Sequence, residues 1–85
     1  MADAIGTADV MFNGKMVEDV DIYAYHDPET KINYRTVFIS DLGISPEEGP
    51  KSVIVDYRGN RYTAVKYGNP NNQVPSYDFK VSNKV

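Results

Sequence analysis

Ser52-Val53-Ile54-Val55-Asp56-Tyr57-Arg58-Gly59-Asn60-Arg61-Tyr62-Thr63-Ala64-Val65 decides the fold class of this chain. Two runs rich in β-branched and aromatic residues flank a turn signal, the pattern of a β-hairpin. With Gly59-Asn60 as the central pair, glycine in first place suits a type II′ turn, whose twist matches that of the strands it joins. That turn predicts Tyr57 opposite Tyr62, Val55 opposite Ala64 and Ile54 opposite Val65. Cross-strand pairs of these residue types stabilise a sheet. The hairpin fixes the class as β and carries no catalytic motif.

Upstream, residues 8–12 alternate loosely and run into Asn13-Gly14, the strongest short hairpin signal. A type I′ turn there predicts the pairs Phe12–Lys15, Met11–Met16 and Val10–Val17. The next strand changes phase after Val17, with Val20, Ile22 and Ala24 on one face and Asp21, Tyr23 and Tyr25 on the other. An odd offset of this kind predicts a β-bulge near Glu18-Asp19. His26-Asp27-Pro28-Glu29 ends the run, because proline cannot donate to a ladder and aspartate favours turns; a loop to about Asn33 follows. Residues 34–39 read as a third strand, ended by Asp41-Leu42-Gly43. Ser45-Pro46-Glu47-Glu48 has a capping residue, a proline at the first helical position and a returning acid, but Gly49-Pro50 limits it to one turn of helix or a tight loop.

Downstream, residues 68–76 form a polar loop with Asn69-Pro70-Asn71-Asn72 and Pro75 as breakers. Residues 77–81 alternate as a closing strand with Tyr77, Phe79 and Val81 on one face. Residues 1–7 and 83–85 are expected to fray. The whole predicts one all-β domain over residues 1–85, a small β-barrel or sandwich of about six short antiparallel strands with mobile loops.

Composition narrows the function classes. Hydrophobic residues make up 41% of the 85 positions and aromatics 12%, enough for a packed core rather than a disordered chain. The aromatics are seven Tyr and three Phe, and tyrosine keeps its hydroxyl near water or a partner, so a tyrosine-rich sheet offers adhesive surface. The chain has no cysteine, which excludes disulfides, thiolate metal sites and cysteine nucleophiles. No basic stretch precedes an apolar run at the N-terminus and no apolar run nears the roughly 20 residues that span a bilayer, so neither a signal peptide nor membrane insertion is expected. A net charge of −3 argues against generic nucleic-acid binding, which uses a basic stripe. A soluble cytoplasmic protein is the default expectation.

His26 beside Asp27 has the elements of a base or metal ligand, but zinc draws three or four ligands with His or Cys prominent, and this is the only histidine. It reads instead as a strand-end residue at a turn. Glu18, Asp19 and Asp21, with Asp27 and Glu29 beyond, have the oxygens for acid–base work or calcium. Their spacing matches no calcium loop, and acids on a strand more often guard it against edge-to-edge pairing. Ser40-Asp41 and Ser45 lie in no nucleophile elbow, and no glycine-rich phosphate loop is present. No catalytic residue, cofactor or metal is therefore expected, and the chain reads as a non-enzyme. What remains is contact with partners. Arg58 and Arg61 flank the hairpin tip between Tyr57 and Tyr62, where interaction and simple solubility weigh evenly. Tyr23 and Tyr25 face outward beside Asp21, and tyrosine is enriched at interfaces. The candidate interaction residues are Asp21, Tyr23, Tyr25, Asp27, Arg58, Arg61 and Tyr62.

The order of features across residues 17–81 resembles the small head–tail joining proteins of tailed bacteriophages, the lambda-like tail-attachment group especially. The features are an acid-flanked strand entering Asp27-Pro28-Glu29, a strand ending Val37-Phe38-Ile39-Ser40-Asp41-Leu42, the turn Glu48-Gly49-Pro50, and the central hairpin with Tyr62, followed by a closing strand. The longer N-terminal extension of the lambda-like group has no counterpart here, so docking through such an extension is not expected. The resemblance implies a structural virion protein, assembled in the host cytoplasm, whose copies form a ring at the head–tail junction. Portal or head-completion proteins and tail proteins would be its partners, with no membrane and no sequence-specific nucleic acid. Asp21 and Asp27 would meet Arg58 or Arg61 of the neighbouring copy. A rival expectation is a small acidic phage protein that binds and inhibits a host enzyme through its tyrosine face. A nucleic-acid module like an SH3 or OB barrel comes third.

Overall fold

The computed structural model describes residues 3–69 and 74–85. Its strands are β1 (Gly6–Phe12), β2 (Lys15–His26), β3 (Asn33–Phe38), β4 (Ser52–Tyr57), β5 (Asn60–Lys66) and β6 (Ser76–Phe79). They form a closed antiparallel barrel in the order β1-β2-β3-β6-β5-β4, with β4 paired back to β1. Closure gives each strand a neighbour on both sides, which is how a small all-β chain avoids open edges. The strand directions gather Asn13-Gly14, residues 39–51 and residues 67–69 at one end. Residues 27–32, the Arg58-Gly59 turn and residues 80–85 lie at the other.

The first hairpin forms as its sequence predicts. Phe12 pairs with Lys15, Met11 with Met16 and Val10 with Val17, and Asn13 (φ 50) and Gly14 (φ 73) take the two positive dihedrals of a type I′ turn. The pairing then jumps from Val10–Val17 to Ala8–Val20, so Asp9 faces both Glu18 and Asp19. Asp19 has φ 57, and its N–H donates to Asp9 Oδ1 at 3.2 Å. This bulge restores the phase that brings Val20 and Ile22 into the core.

In the second hairpin the central residues are Arg58 (φ 51) and Gly59 (φ 76), a type I′ turn in place of the expected type II′ turn on Gly59-Asn60. Tyr57 therefore pairs with Asn60, Val55 with Tyr62 and Val53 with Ala64. Each partner moves by two residues, a shift that keeps every side chain on its predicted face. Val53, Val55, Tyr57, Tyr62 and Ala64 all enter the core with Val10, Ile22, Val37, Ile39, Tyr77 and Phe79.

Several ends differ from expectation. β1 already begins at Gly6, and Ile5 N–H donates to Ile22 O at 2.7 Å, so the lead-in is tied down from that point. β3 stops at Phe38, and Ile39–Leu42 form a 3₁₀ turn closed by Gly43 at φ 74. β6 ends at Phe79; Val81 is 70% exposed in a second 3₁₀ turn (Val81–Asn83) instead of continuing the core face. Residues 83–85 do not fray: Lys84 bridges to Tyr62 and Val85 N–H donates to Arg61 O at 2.8 Å. Ala24 shares the parity of Val20 and Ile22 but is exposed. The expected polar loop falls partly outside the described residues, at positions 70–73.

The 45–50 connection is a single tight turn, with Ser45 Oγ donating to Glu48 Oε1 at 2.7 Å. Lys66 Nζ fastens it by donating to Pro46 O (2.7 Å) and Gly49 O (2.8 Å). Tyr77 adds a hydroxyl bond to Pro50 O at 2.6 Å, and burial pushes that phenol's pKa up. A Cβ at Gly49 would collide with the same hydroxyl, so this connection requires glycine.

Candidate functional site

β2 carries Asp21, Tyr23 and Tyr25 on the outer face of the barrel, as strict alternation requires. Register with β3 places Tyr23 opposite Thr36 and Tyr25 opposite Tyr34. The diagonal neighbour of Tyr23 is Phe38, and the two rings lie 4.9 Å apart at 48°. Partial burial raises the pKa of the Tyr23 hydroxyl, and the negative fields of Asp21, Asp41 and Asp3 add to the effect. Phe38, Asp41 and Asp3 thus join a patch that sequence reading had limited to Asp21, Tyr23 and Tyr25. Its rings and surrounding carboxyl groups suit a cationic partner, through ion pairing and cation–π contact.

Asp27 is not part of that patch. It is 3% exposed, and its Oδ1 accepts the N–H groups of Glu29 at 2.9 Å and Thr30 at 3.4 Å. Its own N–H donates to Ile32 O and its carbonyl accepts Lys31 N–H, both at 2.9 Å. The residue builds the β2–β3 connection from within, as an Asx turn does. These backbone donors, Glu29 first, hold its carboxyl below the usual aspartate range. A folded pKa below the unfolded one adds stability above the unfolded value, lost as pH falls through the folded value. Asp27→Asn is therefore expected to melt below the parent at neutral pH, with the gap closing under acid conditions below the ordinary aspartate pKa. A thermal-melt series against pH checks this, and a gap independent of pH would refute it.

Tyr62 also leaves the candidate surface. It is 8% exposed and stacks on Phe79 with centroids 4.9 Å apart and planes at 24°. Arg58 and Arg61 remain exposed but on different faces. Arg61 is in register with Asp56 on the outer wall, whereas Arg58 reaches back over the Tyr57 ring, 5.1 Å from its centroid. There it lines a pocket of about 180 Å³ at the barrel mouth with Arg35, Tyr57, Asn60, Tyr62 and Phe79. His26 Nδ1 lies 2.8 Å from Asn33 Oδ1, bridging the paired ends of β2 and β3.

Among the described residues no group of three or more His, Cys, Asp or Glu side chains is arranged to hold a metal ion. No helix among them is long and apolar enough to cross a membrane. Comparison with known protein families, curated proteins and solved structures finds no match.

Proposed function

We propose that this chain is a non-enzymatic virion protein of a tailed phage or prophage that joins the DNA-filled head to the tail as a ring of copies. The observation that supports this reading most is the separation of two complementary surfaces on one small barrel. Asp21, Tyr23, Tyr25 and Phe38 form an acidic, aromatic patch on the β2–β3 wall, while Arg61 stands exposed on β5. Surfaces that differ and complement each other make head-to-tail contacts, and such contacts close into rings when the rotation allows. In the ring, Asp21 of one copy meets Arg61 of the next. Asp27, consumed within its own loop, takes no part.

Charge reversal tests the contact. Asp21→Lys or Arg61→Asp alone is expected to lower the yield of infectious particles at least about 100-fold, leaving full heads and free tails in electron micrographs. Combining the two restores the pair and most of the yield. Normal joined particles from a phage lacking the protein altogether would overturn the reading.

A further inference from the structure

We propose that the barrel mouth beside the Arg58-Gly59 turn binds a single carboxylate group carried on a short apolar stem. The site is independent of the Asp21–Arg61 contact and goes beyond the joining role.

Two residues at this mouth depart from what the local structure prefers, and both are arginines. Arg35 shares the inward parity of Val37 on β3, so a charged residue occupies a core-facing position. It pairs in register with Ala24 on one side and Phe79 on the other. Arg58 stands in the first central position of a type I′ turn at φ 51. That position favours Asn, Asp or Gly, and the other hairpin of this same chain uses Asn13 there. Departures from local preference concentrate at functional sites.

The lining gives the two guanidinium groups something to act on. Phe79 stacks on Tyr62 and meets Tyr57 edge-on at 6.4 Å, so the floor is three aromatic rings. Charge pairing is stronger against such a low-dielectric floor than in open water. None of the described residues lining the pocket is acidic. Arg35 Nη1 donates to Tyr34 O at 3.3 Å, and Arg58 rests on the Tyr57 ring. Neither contact neutralises a positive charge. Asp56 and Asp78, the nearest acids in sequence to the lining strands, have the parity of the outer wall.

Size and polarity then select the ligand. A volume of about 180 Å³ is below the roughly 300–1,000 Å³ of drug-sized ligand sites, which favours a small group over a whole nucleotide. Guanidinium matches a carboxylate with paired N–H donors. The ring floor rewards an apolar stem, which inorganic phosphate lacks. An acidic side chain of a partner and a free small acid share this chemistry.

Nuclear magnetic resonance titration with benzoate tests the site, with benzamide as neutral isostere and inorganic phosphate as stemless anion. Saturable shifts are expected at Arg35, Arg58, Tyr62 and Phe79, with Arg61 and Lys15 unmoved. Benzamide and phosphate should bind at least tenfold more weakly. Arg58→Asn removes the guanidinium while supplying the residue that the turn prefers, so it should fold and bind benzoate at least tenfold more weakly; Arg35→Gln should do the same. Saturation by N-acetylglutamate amide as well supports the site and assigns it to an acidic side chain. Saturation by benzoate alone supports it and assigns it to a free acid. Equal binding of benzamide or phosphate, no saturation by benzoate, or undiminished binding by Arg58→Asn overturns the proposal.

Discussion

Phe79→Ala is expected to lower the unfolding free energy by about 3–5 kcal/mol, the usual cost of deleting a buried phenylalanine ring. Phe79 is 1% exposed, and its neighbours are held by strands that cannot readily close the gap. Tyr62 stacks on it from β5 and Tyr57 meets it edge-on from β4. The strand that carries it is also the weakest joint of the barrel. β6 is only four residues long, and its register with β5 consists of Val65–Asp78 and Lys66–Tyr77. At roughly 0.05–0.15 kcal/mol per residue, the 85 residues give a total stability of about 4–13 kcal/mol, so this substitution removes a large share of it. Urea denaturation should show a lower midpoint with an unchanged slope. A loss under about 1.5 kcal/mol would mean that the ring does not hold the mouth of the barrel together.

How far the chain discloses this arrangement depends on whether each signal is local. Asn13-Gly14 names its own turn, and the Val17-to-Val20 offset names its own bulge, so the turn, its first three pairs and the bulge were legible, whereas the start of β1 at Gly6 and the exposure of Ala24 were not. The second hairpin offers two dipeptides with glycine, Arg58-Gly59 and Gly59-Asn60, and local preference points away from an arginine in the left-handed region. Faces survived that ambiguity because the shift is even. The outward run Asp21, Tyr23, Tyr25 follows from period two alone. Phe38 and Asp41 join it only through the β2–β3 register and the 3₁₀ turn after β3, neither of which is written in one segment. Asp27-Pro28 reads alike whether its carboxyl faces a partner or its own backbone. The mouth was illegible for a stronger reason: Arg35, Arg58 and Phe79 come from three strands or turns that only closure brings together.

The other side of β6 carries the second large effect. Alternation gives Tyr77 and Phe79 to the core and leaves Ser76 and Asp78 to solvent, yet all four are buried. Asp78, 1% exposed, accepts Thr36 Oγ1 at 2.8 Å and Ser76 Oγ at 3.0 Å through Oδ1. Its Oδ2 accepts the Asn69 backbone N–H at 2.9 Å. One carboxyl group thus ties β3, β6 and the chain leaving β5 into a polar cluster on the outer wall. Removing one partner of a buried hydrogen bond leaves the other unsatisfied, at about 1–3 kcal/mol per group. The hydroxyls of Thr36 and Ser76 can turn to other acceptors, whereas the Asn69 N–H is fixed by the backbone. Asp78→Ala is therefore expected to cost about 3–4 kcal/mol, and to strip the Asn69 amide of its protection from hydrogen exchange. Asp78→Asn keeps the shape and one acceptor oxygen, and should cost about half as much. Thr36→Val, which leaves the Asn69 bond intact, should leave that amide protected. If Asp78→Ala and Asp78→Asn prove equally mild, with Asn69 still protected, the cluster does not fasten the chain beyond β5 to the barrel.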